Sequence, residues 1–290
     1  MIGKAEAICH GAATIINAIA TGRGAAFGVD LWTKAQVKLT DEPKVIEGMI
    51  VSDPDESSVL IEKTVGRVFE YFGLKEKFGA KVKTWSNIPI ARGLKSSSVA
   101  ANAISLATVA ALNKSLDDLT IINLGVNGTV DAKVTITGAF DDAYASYFGG
   151  VVITDNVKRK IVKRFAISED LTILLKVPAK KTYTSSSNVR KMRSVASLVK
   201  IAYKEALKGN YWSALTLNGL IYSSALGYNP SIALDALMAG ALAAGLSGKG
   251  PSVTAVTPNE KVDLVKDVWQ AYEGEILQTR VNHEKAKVVV

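Results

Sequence analysis

The most informative segment of the chain is Pro89-Ile-Ala-Arg-Gly-Leu-Lys-Ser-Ser-Ser-Val-Ala-Ala-Asn102, where a glycine and a lysine precede three serines and a run of small residues. Glycine permits a tight turn, and serine favours the start of a helix, which we predict over residues 96–112. Because a helix N-terminus presents unpaired N–H groups and a partial positive charge, this turn suits a phosphate, and Lys95 adds a full charge. The same residues are also those of an ordinary capped helix, so this stretch alone leaves both interpretations open.

A second glycine-rich segment, Gly245-Leu-Ser-Gly-Lys-Gly-Pro-Ser252, lies between a predicted helix and a predicted strand. Such a loop can bring backbone N–H groups close to an anion. Its other interpretation is a helix C-cap at Gly245 followed by a flexible turn. The common nucleotide-binding pattern G-x-x-x-x-G-K-S/T does not occur in the sequence. A phosphate site in this chain would therefore be built from loops of another kind.

A third segment places Asp141 and Asp142 at the start of an aromatic helix, with Asp131 upstream. Carboxylates at a helix N-terminus are stabilised by the helix dipole, so simple capping explains an adjacent pair. Three acidic groups near one site could instead divide between them the binding of Mg²⁺ and the acceptance of a hydroxyl proton.

Composition narrows the classes of function. The chain has 290 residues, of which 48% are hydrophobic and 21% charged, and this fits one large globular domain or two ordinary ones. Its single cysteine excludes an internal disulfide and a zinc site built on paired cysteines. The net charge of +8 admits nucleic acid, a membrane surface or small anions as partners, and composition does not decide among them. We interpret the uncharged stretches 96–113 and 236–247 as buried helices, because the first is rich in serine and the second is too short to span a bilayer.

Hydrophobic patterning and turn residues predict two mixed halves. In the first half we predict strands at 37–39, 45–51 and 80–84 and helices at 57–72, 96–112, 116–127 and 132–149. In the second half we predict strands at 151–154, 161–165, 171–177, 252–257 and 285–290 and helices at 189–208, 211–226, 232–244 and 260–273. Strands mixed with adjacent helices, without strict alternation, favour an α+β fold with a domain boundary near Gly150.

Taken in this order, the three segments resemble those of the GHMP kinase superfamily, which includes galactokinase and the homoserine, mevalonate and phosphomevalonate kinases. Residues 89–100 are similar to its phosphate loop, P-x-x-x-G-L-G-S-S-A, except that Lys95 replaces the second glycine. Residues 245–252 are similar to its third motif, and Asp142 occupies the position of a catalytic aspartate found in several members. The resemblance implies a two-domain α+β GHMP kinase fold with ATP bound between the halves. Residues 1–150 would form the N-terminal domain, whose fold is shared with ribosomal proteins, and residues 151–290 a ferredoxin-like C-terminal domain.

Longer stretches narrow the resemblance to one branch. Residues 11–30, Gly93-Leu-Lys-Ser-Ser-Ser, Thr137-Gly-Ala-Phe-Asp-Asp-Ala and residues 245–251 are similar to the archaeal-type shikimate kinases, and the similarity covers essentially the whole chain. This resemblance implies in-line transfer of the γ-phosphoryl group of ATP to a hydroxyl of shikimate, with Mg²⁺ as cofactor. The product would be shikimate 3-phosphate, an intermediate of chorismate and aromatic amino acid biosynthesis.

The resemblance also implies roles for individual residues. Asp142 would orient or deprotonate the attacking hydroxyl, and Ser97 and Asp131 would bind Mg²⁺. Members such as mevalonate kinase have a catalytic lysine in a Pro-Gly-Lys motif, whereas the matching residues 9–13 contain none, so Lys95 or Lys249 could substitute for it. The residues implied to bind ATP are Pro89, Arg92, Gly93, Leu94, Lys95, Ser96, Ser97, Ser98, Gly248, Lys249 and Gly250.

The substrate pocket is less readable from the sequence. Shikimate carries a carboxylate and three hydroxyls, so its pocket should contain a basic residue and small polar groups. We predict Arg190 as the partner of the carboxylate, and the other candidates are Arg23, Asp30, Asp141 and Thr184.

Two other functions compete with this one. A kinase of the same superfamily acting on homoserine or mevalonate would share the phosphate site and differ only in its acceptor pocket. A basic α+β domain that binds RNA would need Lys, Arg and aromatic residues grouped on one face, which the scattered charge does not favour. We therefore expect a cytoplasmic enzyme whose partners are ATP and shikimate, with no nucleic acid and no membrane.

Overall fold

A seven-stranded sheet forms most of the N-terminal part of the fold. The computed structural model describes residues 3–183 and 188–289. The strands of this sheet are β1 (Lys4–Ile16), β2 (Arg23–Thr40), β3 (Ile46–Ile50), β4 (Gly79–Ser86), β5 (Val151–Asp155), β6 (Lys160–Phe165) and β11 (Lys287–Val288). Their order is β11-β1-β2-β4-β3, with β5 and β6 extending the sheet from β2. Only the pair of β3 and β4 is parallel among these strands.

Two different strands pair with successive parts of β2 along the same edge. Its residues 33–40 pair with β4, and its residues 23–27 pair with β5. Because β5 and β6 continue the first sheet beyond Gly150, the predicted boundary between residues 1–150 and 151–290 falls within the elements of this sheet. The chain leaves the first sheet after Phe165, enters the second at Leu171, and returns to the first with β11.

The second sheet has four antiparallel strands. They are β7 (Leu171–Val177), β8 (Ala243–Leu246), β9 (Val253–Pro258) and β10 (Glu275–Arg280). Their spatial order is β10-β7-β9-β8, and helices separate β7 from β8 and β9 from β10. This β-α-β-β-α-β arrangement is the ferredoxin-like pattern, so the predicted α+β class and the predicted character of the C-terminal half are confirmed.

Helices cover both sheets, with some boundaries different from those predicted. The helices are α1 (Val59–Tyr71), α2 (Ser96–Ala111), α3 (Asp118–Asp131), α4 (Phe140–Phe148), α5 (Val189–Ser194), α6 (Ala196–Lys208), α7 (Tyr211–Leu226), α8 (Ser231–Met238) and α9 (Val262–Trp269). Helix α4 begins late because Lys133, Gly138 and Ala139 have positive φ, which interrupts a right-handed helix. Among the described residues, no helix is long and apolar enough to cross a membrane.

Helix α2 is the buried element that positions the site. It lies on β1 and β2 and packs against α1, α3 and α4, and its alanine, serine and threonine side chains allow these elements to approach closely. The Asn102 Nδ2 donates hydrogen bonds to the Ala143 carbonyl (2.7 Å) and to the Ser146 Oγ (2.8 Å). Since both acceptors belong to α4, Asn102 ties the N-terminal half of α2 to the helix that carries Asp141 and Asp142.

Candidate active site

The predicted phosphate loop is a tight turn that leads directly into α2. Gly93 has φ 83°, and Lys95 adopts a left-handed conformation at the N-cap position, with φ 64° and ψ 18°. No side chain caps the helix, so the expectation of a serine cap is wrong, and the serines lie inside the first turn. The first N–H groups of α2 therefore point out of the helix without a side-chain partner, as an anion-binding helix end requires.

The second glycine-rich segment packs directly on this turn. The Ser247 Oγ donates a hydrogen bond to the Gly93 carbonyl (2.9 Å), and the Ser252 N–H donates to the Arg92 carbonyl (3.2 Å). A Cβ atom at Gly93 would lie 2.8 Å from the carbonyl oxygens of both Ser247 and Gly250. Only glycine therefore fits at position 93, and segments far apart in sequence meet as one loop cluster.

This loop cluster forms one wall of a cavity, and the start of α4 forms another. The lining includes Asp141 and Asp142, the loop 134–137 and Asn17 at the end of β1. The predicted ATP-binding residues that line it are Gly93, Leu94, Lys95, Ser96, Ser97, Ser98, Gly248, Lys249 and Gly250. Pro89 and Arg92 are not part of the lining, and the Arg92 guanidinium donates to the Pro178 carbonyl. Most of the predicted phosphate-binding residues are thus brought together.

Asp142 is the carboxylate at the centre of this cavity. Its Oδ2 lies 3.4 Å from the Lys95 Nζ, and the two side chains are only 9% and 11% exposed. Its Oδ1 has no hydrogen-bond partner among the described residues. Burial raises the pKa of Asp142, and the nearby charges of Lys95 and Lys249 oppose that rise. One oxygen is thus held by an ammonium group, and the other is buried without a partner among the described residues.

Lys249 adds a second ammonium group to the cavity. Burial and the charge of Lys95 lower its pKa to about 8, and Asp142 opposes the shift. Lys249 is consequently a cation whose charge changes within an accessible pH range, next to the place where we expect phosphate.

Asp141 also lines the cavity but has other partners than Asp142. Its Oδ1 accepts a hydrogen bond from the Asn156 Nδ2 (2.7 Å), and a Cβ at Gly24 would lie 2.2 Å from its Oδ2. Burial and the neighbouring charge of Asp142 raise the pKa of Asp141. The two adjacent acids therefore have different surroundings, and Asp142 is the one beside the lysines.

Asn17 is a site residue that the sequence analysis missed. Its Nδ2 donates to the Gly248 carbonyl (2.8 Å), and its backbone N–H donates to the Asn218 Oδ1 (3.1 Å). It thereby links β1 to the second glycine-rich segment and to α7. The only sequence signal was a polar residue directly after Ile15 and Ile16.

The two predicted metal ligands are separated by the structure. Ser97 lies in the first turn of α2 and lines the cavity. Asp131, at the end of α3, accepts hydrogen bonds from the Arg67 Nε (2.5 Å) and from the second terminal nitrogen of Arg67 (2.8 Å). That pair lies in a surface groove with Lys63 and Glu70, outside the candidate site. The prediction of Asp131 as a metal ligand is therefore corrected, because its carboxylate serves an ion pair.

Three of the predicted substrate-binding residues also lie outside the cavity lining. The Arg23 guanidinium lies over the Tyr203 ring, 5.8 Å from its centroid. Asp30 forms an ion pair with Arg280 (2.8 Å), and Arg190 lies exposed on α5. The structure thus does not bring these three to the site, whereas Asp141 does line it; the predicted Thr184 falls outside the described residues.

Comparisons with known proteins identify the family of this chain. The family described as GHMP kinases N terminal domain matches residues 59–150. A shikimate kinase of Methanosarcina mazei is 45% identical over 285 residues, which cover 98% of this chain and 96% of that protein. A shikimate kinase of Methanothermobacter thermautotrophicus is 41% identical over 294 residues, with 100% and 99% coverage. The chain belongs to this shikimate kinase family.

The solved structures that resemble this member of the shikimate kinase family show its fold. A homoserine kinase of Cytophaga hutchinsonii superimposes with a TM-score of 0.75 at 18% identity, covering 100% of this chain and 98% of that one. The mevalonate kinase of Methanococcus jannaschii gives a TM-score of 0.74 at 17% identity, with 97% and 99% coverage. These superpositions confirm the two-domain GHMP kinase fold. The shikimate kinase relatives and the matching GHMP family confirm the activity class of an ATP-dependent small-molecule kinase, and the RNA-binding alternative is not favoured.

Proposed function

We propose that this protein transfers the γ-phosphoryl group of ATP to a hydroxyl of shikimate and releases shikimate 3-phosphate and ADP. The observation that carries the proposal is the Asp142 carboxylate, buried in the same cavity as the phosphate loop, with one oxygen unpartnered among the described residues. The names of the relatives supply the acceptor, since all those compared above at 40% identity or more are shikimate kinases.

The phosphate groups of ATP would bind at the start of α2. The N–H groups of the first helical turn, the turn at Gly93 and the ammonium of Lys249 provide the positive potential that a triphosphate needs. Such preorganised charge also stabilises the transferring phosphoryl group, and this stabilisation supplies most of the rate in phosphoryl transfer.

Asp142 would act on the acceptor hydroxyl. A shikimate hydroxyl that reaches the Asp142 carboxylate from the cavity would donate a hydrogen bond to it. As the hydroxyl oxygen forms its bond to the γ-phosphorus, the bond from that phosphorus to the β–γ bridging oxygen breaks, and the proton passes to Asp142. We propose that Asp141, which also lines the cavity, binds a second hydroxyl of the substrate.

The site also fits Mg²⁺. The cation prefers oxygen ligands and takes many of them from phosphates and water, so one hydroxyl from the protein is a sufficient anchor. The Ser97 side chain, in the first turn of α2 and facing the cavity, provides that oxygen, and we propose it as the protein ligand. When bound, Mg²⁺ would neutralise charge on the β- and γ-phosphates.

The proposed partners are ATP and shikimate, and we propose the cytoplasm as the location of the enzyme. The first experiment is to measure ADP release with Mg²⁺ and ATP in the presence of shikimate, homoserine, mevalonate or galactose, and to identify the product by mass spectrometry. ADP release confined to shikimate, with a phosphorylated product, is the expected result. Turnover of homoserine or mevalonate alone would refute the proposed acceptor and retain the phosphate site.

A further inference from the structure

Lys95 has a backbone conformation that lysine adopts only at a cost. Its φ of 64° and ψ of 18° lie in the left-handed region, where a Cβ atom crowds the following carbonyl and glycine is favoured. A glycine would make the same turn into α2 without this cost. A side chain is thus present at a turn where glycine would be less strained, and its contacts indicate what it contributes.

The surroundings of Lys95 direct its ammonium group to one place. The side chain is only 11% exposed, and the Nζ lies over Gly248, where a Cβ would be 2.3 Å from it. Gly248 itself has φ 60°, so any other residue there would be strained and would collide with the lysine. Lys95 and Gly248 both have the positive φ that favours glycine. The turn at Lys95 and the space left by Gly248 together place the ammonium group inside the cavity.

That place is next to Asp142. The Lys95 Nζ is 3.4 Å from the Asp142 Oδ2, whereas the Oδ1 has no hydrogen-bond partner among the described residues. A cation fixed on one oxygen restricts rotation of the carboxylate, while the other oxygen is buried without a partner among the described residues. Burial opposes the ionisation of Asp142, and so does repulsion from the adjacent acid, Asp141; the charges that favour ionisation are those of Lys95 and Lys249.

We propose that Lys95 is a positioning residue, which keeps the Asp142 carboxylate ionised and fixed in the orientation in which it receives the proton of the acceptor hydroxyl. This inference rests on the proposed function, because it concerns the same phosphoryl transfer. It makes Asp142, and not the phosphates of ATP, the main partner of Lys95.

The test compares Lys95→Met and Lys95→Gly with the unaltered enzyme. Both variants remove the charge, but only the glycine variant also relieves the left-handed backbone. We expect kcat to fall about 100-fold in both, with the KM for ATP changed by less than about threefold. We also expect the acid limb of the kcat profile to move to higher pH by about one to three units, because an unpaired buried carboxylate holds its proton more tightly. Lys95→Arg, which retains a charge, should recover part of the rate.

A second lysine provides the control for backbone strain. Lys44 also has a positive φ (68°), but it is exposed and its ammonium forms a surface ion pair with Glu76. Lys44→Gly should raise the melting temperature, because it relieves the backbone strain without breaking a buried ion pair, and it should leave kcat unchanged. The melting temperatures also show that each variant is folded, independently of its activity.

Three results would overturn the proposal. The first is a kcat near that of the unaltered enzyme in both Lys95 variants. The second is an unshifted acid limb in variants that have lost kcat. The third is a large rise in the KM for ATP with kcat retained, which would make Lys95 a phosphate ligand. If the unaltered enzyme phosphorylates another acceptor, the proposed substrate fails, and the same comparison on that acceptor still decides the role of Lys95.

Discussion

Replacing Gly93 by alanine should separate the phosphate loop from the second glycine-rich segment. Two costs add at this position. The φ of 83° disfavours any Cβ, at about 1 kcal/mol for alanine. The new Cβ would in addition lie 2.8 Å from two carbonyl oxygens, those of Ser247 and Gly250, so one loop has to move. We expect Gly93→Ala to lower the free energy of unfolding by about 2–4 kcal/mol in total, the upper range for strain and overpacking combined.

Gly73 offers a matched control for the backbone cost alone. It has a similar φ of 67°, but a Cβ there would meet no atom within 4 Å. Gly73→Ala should therefore lower the free energy of unfolding by only about 1 kcal/mol. Urea unfolding at constant pH measures both values, and the difference between the variants is the cost of the contact between the loops.

The same experiment has a functional readout. Because the loops cradle the proposed triphosphate site together, Gly93→Ala should also weaken ATP binding, measured by calorimetry, whereas Gly73→Ala should not. Equal stability losses in the two variants would refute the close packing of the loops. A stability loss at Gly93 without any loss of ATP affinity would refute the assignment of the cluster to phosphate.

Three further outcomes are expected. Asp142→Asn should abolish phosphoryl transfer in a product assay and retain ATP binding by calorimetry, because it removes the proton acceptor and leaves the loop cluster in place; normal turnover would refute the assignment. ATP affinity should fall as pH rises through about 8, because Lys249 loses its charge there, and Lys249→Arg should flatten this dependence. Asp131→Ala should leave the Mg²⁺ dependence of the activity unchanged and lower the free energy of unfolding by about 1 kcal/mol or less, because its ion pair with Arg67 is partly exposed; a changed Mg²⁺ requirement would restore it as a ligand.

The parts of the site that sequence predicted are those determined by neighbouring residues. The turn at Gly93, the start of α2 at Ser96 and the acidic start of α4 all follow from residues within a few positions of each other. The ends of helices were predicted less accurately where apolar residues continue past the helix without interruption. The predicted helix 232–244 hides strand β8, because Ala243–Leu246 continues the same apolar pattern.

The parts that sequence did not predict depend on distant partners. Asp131 looked like a metal ligand until Arg67, on another helix, proved to hold its carboxylate. Asn17 reaches the second glycine-rich segment across a separation of 231 residues, which no local pattern records. The resemblance to a family located the turn that leads into α2, because the shape of this turn follows from glycine positions. The surroundings of Arg23 and Arg190 could not be predicted in this way, because they depend on how each chain packs.

The return of strand β11 to the first sheet affects how the protein folds during its synthesis. That sheet is begun by residues 4–40 and receives its last strand from residues 287–288, after the whole second sheet has been made. A ribosome releases the chain from the N-terminus onward, so the edge of β1 at Ala7 and Ile8 stays unpaired until residues 287–288 have been translated. During that time the nascent first sheet exposes an unpaired strand edge to which chaperones or other chains can bind.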